Sequence, residues 1–288
     1  MAQARAEGVV ERVARTGELV MVGGADQAPL LSWNAQGQPE GYGVVVGERI
    51  AAELSQAVGR PVRLRVEVLK DPALLGERIA SGQAALACGV PFSWERDMTL
   101  DYSLPIALSG LRLMAPAGKL DGSPASLAGR RIGVVQDSLA DTELRGMQPA
   151  ARPIGFPSLK AAVAALGKGQ VDGVIGDSIL LASLARTWTG PALALTPEEP
   201  YERYASACVL PENDSAFRNL VNLAIARLLQ GYVDGEANSV ATINRYVGPG
   251  STLNIPVVLI RAYYESVLLG LEALRPLPVA PAGARPAP

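Results

Sequence analysis

The sequence predicts an α/β protein built as two lobes, with a helical extension at its C-terminus. Three observations carry this. A strand–helix–strand–helix–strand run occupies the first third of the chain. A second series of strands and helices follows it. Two extended segments without helical period, Tyr102–Pro116 and Tyr201–Pro211, lie between and after them. The length of 288 residues suits two lobes of ordinary size.

Taken in order, residues 4–16 read as a short polar helix and Glu18–Val22 as a buried strand. A turn around Asn34–Gly41 precedes a helix from Val44 to Val58, and Val62–Val68 is the next strand. A helix spans Pro72–Ser81, stopped by Gly82, and Ala84–Gly89 is the third strand. Such an alternation implies a mostly parallel sheet covered by helices. The second series starts with strand Arg131–Val135 and a helix over Ala140–Gly146. Ser158 caps the helix Leu159–Leu166, Gly169 stops it, and strand Val171–Ile175 ends at Asp177. Gly82–Gly89 and Gly169–Gly176 are helix–Gly–strand–Gly units in corresponding places. Two strong helices follow, Ser215–Gln230 and Gly235–Tyr246. Two crossing segments joining two such lobes describe a clamshell. The expected division is 1–107 with 203–250 for lobe 1, and 108–202 for lobe 2. Residues 251–275 form a helix, and 276–288 a disordered Pro/Ala tail.

Composition narrows the chemistry. Apolar residues make up 49% and charged residues 19%, so a sizeable core can be buried. With 26 basic and 28 acidic residues no broad basic face is expected, which argues against nucleic acid. There is no histidine, which removes Ser-His-Asp and Cys-His catalysis and His-ligated metals. No cofactor, no metal and no enzyme activity is expected. Cys88 and Cys208 each sit in an apolar, strand-like run. They are either two buried thiols or a disulfide. The first residues lack the apolar core of a signal peptide, and no stretch is long and apolar enough for a transmembrane helix.

In open α/β sheets ligands sit beyond the carboxyl ends of the strands. In lobe 1 those ends carry Asp26, and Gly89 followed by Phe92, Trp94 and Arg96. In lobe 2 they carry Asp137, Ser138 and Leu139 at a helix start, and Asp177. An Arg can grip a carboxylate bidentately, amides and a hydroxyl at a helix start can hold its oxygens, and an Asp accepts from an ammonium. Together Arg96, Ser138 and Asp177 suit a zwitterion such as a free α-amino acid. Each also has a plainer reading: Arg96 as a surface ion-pair residue, Ser138 and Asp177 as helix caps.

From Glu18 to Gly248 the sequence resembles the family 3 extracellular solute-binding proteins of polar amino-acid uptake systems, which have a type II periplasmic clamshell. Glu95–Pro105 looks like that family's Thr-x-x-Arg … Phe-Ser-x-Pro-Tyr signature. Leu127–Gln136 looks like its entry to the second lobe, and Gly169–Asp177 like its "sGrvDavvtD". Asn222 stands where the family has an Asn in the returning helix. The resemblance implies a periplasmic amino-acid binder and an ABC transporter permease as partner. It gives the α-carboxylate to Arg96, assistance to Ser138 and the α-amino group to Asp177; Leu139, Gly89, Asp26 and Phe92 are further ligand-binding candidates, Leu139 offering only its backbone N–H. The departures are Asp137-Ser138-Leu139 in place of Gly-Thr-Thr, and a first loop without a stacking aromatic. Phe92 or Trp94 is the candidate apolar wall instead. The alternative is an orphan sensor or interaction protein of the same fold that has lost ordinary solute binding. The helix expected over Asn254–Leu274 is apolar on most of its surface. It packs either on its own lobe or against a copy in a homo-oligomer.

Overall fold

The computed structural model describes residues 7–24, 27–69, 71–251 and 253–269. In chain order these form α1 (Val9–Thr16), β1 (Glu18–Gly23), the small hairpin β2 (Ser32–Trp33) and β3 (Pro39–Glu40), α2 (Tyr42–Val58), and β4 (Arg63–Val68). A 3-10 turn (Pro72–Leu74) leads into α3 (Leu75–Ala80), β5 (Ala87–Pro91), α4 (Trp94–Asp97) and β6 (Leu100–Tyr102). Then come β7 (Ala107–Pro116), α5 (Pro124–Leu127), β8 (Arg131–Val135), α6 (Leu139–Met147), β9 (Arg152–Phe156) and α7 (Leu159–Gly167). The chain continues with β10 (Gly173–Asp177), α8 (Ser178–Arg186), β11 (Leu193–Thr196) and β12 (Glu202–Pro211). It closes with α9 (Ser215–Val233), α10 (Ala237–Tyr246) and α11 (Val257–Leu268).

Lobe 1 is organised around β1. It pairs in parallel with β4, Met21 opposite Val66, and bridges in parallel to Leu86 just before β5. β12 closes this sheet antiparallel to β5. Lobe 2 has β9, β8 and β10 parallel, with β7 antiparallel to β10 and β11 antiparallel to β7. The two long strands β7 and β12 pair with each other and join the lobes into one continuous ladder. This is a type II clamshell: two α/β lobes, two crossing strands and an appended helix.

Burial explains why each lobe holds together. The lobe 1 core gathers Leu19 and Met21 from β1 with Tyr42, Ile50 and Leu54 of α2 and Phe217, Leu229 and Tyr232 of α9. The lobe 2 sheet is buried on both faces. Leu111, Leu113, Ile132, Val134 and Ile175 face α6, while Met114 and Val174 face α7 and α8. Neighbouring strand residues thus enter opposite cores, as the two-residue period of a strand requires. Ser158 caps α7 through the Ala161 N–H at 3.2 Å, as its place before an apolar run implied.

Several expectations need correcting. The first helix is not polar all round, because Val9 and Val13 enter the lobe 1 core. The helix over Pro72–Ser81 is split into a 3-10 turn and the short α3. Strands β9 and β11 and the short helices α4 and α5 were not anticipated. The C-terminal helix runs Val257–Leu268, inside the longer range expected; residues 270–288, including the expected disordered tail, lie outside the described residues.

The cysteines, left open by the sequence, are paired. Cys88 of β5 and Cys208 of β12 face each other across adjacent antiparallel strands and form a disulfide spanning 120 residues. α11 lies on its own lobe. Ile260 and Tyr264 are buried in the lobe 1 core, and the Tyr264 and Tyr42 hydroxyls share a 3.0 Å hydrogen bond. Burial and the neighbouring phenols push both tyrosines well above the ordinary phenol range. The outer face of α11 leaves Val258 and Leu259 exposed. Among the described residues no helix is long and apolar enough to cross a membrane.

Candidate functional site

Arg96 sits on α4, the single helical turn that follows β5. Ser93 caps that turn, accepting from the Arg96 N–H at 3.2 Å. The guanidinium folds back over its own strand: Nη1 donates to the Pro91 carbonyl at 3.0 Å and to the Tyr102 hydroxyl at 2.8 Å. Tyr102 in turn donates to the same carbonyl at 3.0 Å. Both acceptors are neutral, and among the described residues no carboxylate pairs with this arginine. One edge of the fork is fixed and the rest is uncommitted, which is the state of a guanidinium ready for a carboxylate. The surface ion-pair reading of Arg96 therefore does not hold.

Asp177 ends β10 and begins α8. Its Oδ1 accepts from the N–H groups of Ile179 at 2.9 Å and Leu180 at 3.0 Å. Its Oδ2 accepts from the Tyr204 hydroxyl at 2.7 Å. The capping role is real, and among the described residues no cationic side chain hydrogen-bonds to Asp177. Burial raises its carboxyl above the ordinary range, against the lowering effect of Tyr204 and the two backbone donors. Burial, and then the charge of Asp177, holds the Tyr204 phenol far above its ordinary value. Ser109, opposite Tyr204 in the β7–β12 ladder, completes a small polar knot with Ser178, their hydroxyls 3.2 Å apart.

Ser138 is the cap of α6. Its hydroxyl donates to the Val135 carbonyl at 2.7 Å and receives the Asp141 N–H in a long 3.4 Å contact. Leu139 opens the helix, its side chain packed against the lobe 2 core. Asp137, the residue that would repel a carboxylate, is exposed, with a left-handed φ of 55°. Its charge therefore stays in water.

The strands bring these residues to one edge. Ser206 of β12 stands opposite Pro91, the Ala205 carbonyl accepts the Phe92 N–H at 2.9 Å, and Tyr204 holds Asp177. The anchors of Arg96 and Asp177 thus hang two residues apart along β12. β8 and β10 are parallel neighbours with Gly133 level with Val174, so the strands that lead to Ser138 and Asp177 run in the same direction and end at the same edge of the lobe 2 sheet. Phe92 lies between the rings of Trp94 and Tyr102, each centroid 4.9 Å away. It is a support for the Arg96 platform, and Trp94 is largely exposed. Gly89, on β5, has a φ of 83°, and a Cβ there would press on Leu30 at 3.0 Å; its glycine is demanded by the backbone. Asp26 lies outside the described residues. Asn222 accepts the Leu104 N–H at 2.8 Å and so pins the first crossing segment to α9.

Tyr204, Tyr102 and Ser109 were not anticipated. Their signal was present: all three lie on the extended crossing segments, where polar side chains in otherwise apolar runs mark something to be bonded.

The architecture has counterparts in known proteins. An ArgBP mutant from T. maritima superposes with a TM-score of 0.71 at 16% identity, over 82% of this chain and 98% of that one. The solute receptor for L-cysteine of Neisseria gonorrhoeae gives 0.70 at 19% identity, over 83% and 94%. An amino acid ABC transporter substrate-binding protein from Streptococcus pneumoniae, bound to L-arginine, gives 0.68 at 20%, over 83% and 97%. The chain has the type II periplasmic-binding-protein fold. In sequence it is 31% identical over 140 residues to the virulence sensor protein BvgS of Bordetella bronchiseptica, over 48% of this chain. That match covers 11% of the sensor's length. No family model matches the chain.

Proposed function

We propose that this chain binds a small zwitterion, a free amino acid, in the cleft between its lobes. Arg96 takes the α-carboxylate through the guanidinium edge left free by Pro91 and Tyr102. Asp177 accepts the α-ammonium on its remaining lone pairs. The backbone N–H groups beside Ser138 assist the carboxylate. The observation that carries this is an unpaired arginine held only by neutral acceptors at the edge that also presents Asp177. The amino-acid ligands named for the solved proteins of the same fold support it. The buried disulfide fits an oxidising compartment such as the periplasm.

A thermal-shift panel of free amino acids tests the reading, since a ligand that binds only the native state raises stability. At least one should raise the melting temperature of the wild type and leave Arg96→Ala unmoved. No response from any member would refute it.

A second reading concerns the partner. The similarity to a sensor supports an alternative in which the bound state is read out by a signalling protein instead of the ligand being delivered to a transporter permease. Expressing the locus intact and purifying the chain with whatever it contacts distinguishes the two: a permease refutes the sensor reading, a signalling protein supports it.

A further inference from the structure

A cavity of about 180 Å³ lies where the C-terminal helix meets the hinge. Its walls come from three parts of the fold. Ile106 and Leu108 belong to the first crossing segment. Ile179 comes from the first turn of α8 in lobe 2. Ile255, Leu259 and Tyr263 come from the C-terminal segment. The rest of the lining is also apolar or aromatic, and it contains no charged residue.

Two tyrosines contribute the hydroxyls of this lining, and both are already used. Tyr263 donates to the Ala107 carbonyl at 3.1 Å, and Tyr264 is bonded to Tyr42. A charged or strongly polar guest would give up its hydration and receive no partner in exchange. An apolar ring loses nothing by entering. The pocket opens to solvent past the exposed Leu108 and Leu259, and its size suits one ring: about 180 Å³, against the about 150 Å³ of a hydrocarbon-lined cavity that takes up benzene.

We propose that this cavity is a binding site for a small uncharged aromatic molecule of one ring, or of two fused rings at most. It is separate from the cleft and does not depend on what the cleft binds. It is also placed to influence the cleft. Its walls join lobe 2 to the C-terminal segment, and the other end of α8 reaches the same segment, Arg186 donating to the Ser251 carbonyl at 3.4 Å. Asp177 caps the start of α8. A ring seated against Ile179 therefore braces the helix that carries Asp177, and any effect on cleft affinity must be reciprocal.

The test is methyl NMR of the full chain with labelled isoleucines, titrated with benzene and with indole. Saturable shifts of the Ile106, Ile179 and Ile255 methyls are expected, weakened by about tenfold or more in Ile255→Trp, which fills the space with its own ring. Ala107→Leu serves the same purpose if Ile255→Trp does not fold. Shifts that fail to saturate, or that persist undiminished in the folded filled variant, would overturn the site. Benzoate and benzylamine are the charged controls; either one binding as tightly as benzene would overturn the assignment of an uncharged guest.

Discussion

Arg96 and Asp177, which we propose take opposite ligand charges, differ in their surroundings. The arginine is left electrostatically unpaired and sterically steered by Tyr102. The aspartate already accepts three hydrogen bonds yet is raised in pKa, because these do not offset its burial. Removing the guanidinium with Arg96→Ala should weaken amino-acid binding by about 2–4 kcal/mol, or about 30- to 1,000-fold, because the ligand carboxylate loses its charged partner. Arg96→Lys should recover only part of this, since an ammonium cannot form the paired bonds of the fork. Calorimetry on the three proteins decides it. The pH dependence follows from Asp177. Its native pKa lies above the unfolded value, so between the two the native state holds the extra proton. Stability from this group is present below the window and is lost as pH rises through the raised native pKa. The wild type should therefore lose stability relative to Asp177→Asn as pH rises from about 4 towards 7; the opposite trend would refute the raised pKa. A ligand ammonium favours the ionised form, so binding in that window should release a proton and strengthen with pH. Arg96 and Asp177 could be singled out as candidates in the sequence because each stands at a strand end. That Asp177 is shared with Tyr204 was not, since no spacing in the sequence relates residues held together by ladder pairing 27 positions apart.

At the scale of elements, legibility followed the strength of the local pattern. α7 announces itself with a serine cap, an apolar run and a glycine stop. β9 contains Pro153 and Gly155 and is half exposed at a sheet edge, so it offers neither alternation nor a buried run. β11 is four residues of partly buried chain, fixed by long-range contacts: its pairing with β7 and the Arg112 guanidinium on the Leu195 carbonyl. α11 could be identified as an apolar helix but not assigned a partner, because a wide apolar surface does not say which side is covered. The Tyr42–Tyr264 pair now supplies a test. Tyr264→Phe strands a buried hydroxyl and should cost about 1–3 kcal/mol, whereas the double Tyr42→Phe/Tyr264→Phe should recover much of that. Additive losses in chemical denaturation would show that the helix does not dock there. The disulfide closes a 120-residue loop, so Cys88→Ser/Cys208→Ser should lower stability by about 2–5 kcal/mol, measured the same way.

On the scale of the whole molecule, the two crossing strands do more than connect. β7 and β12 carry Ser109 and Tyr204, which hold Asp177. β12 also pairs with β5, whose end anchors Arg96. The residues given to the ligand's two charges are thus tied to the hinge itself, so rotation about it changes their separation. This is how closure around a zwitterion would be coupled to binding. The most direct test is calorimetric titration of the wild type and Arg96→Ala with a panel of free amino acids. At least one amino acid should bind the wild type at one site per chain and lose that binding in the variant. An amino acid that binds both proteins equally, or a panel in which none binds the wild type, would contradict the assignment of Arg96 to a ligand carboxylate in the cleft.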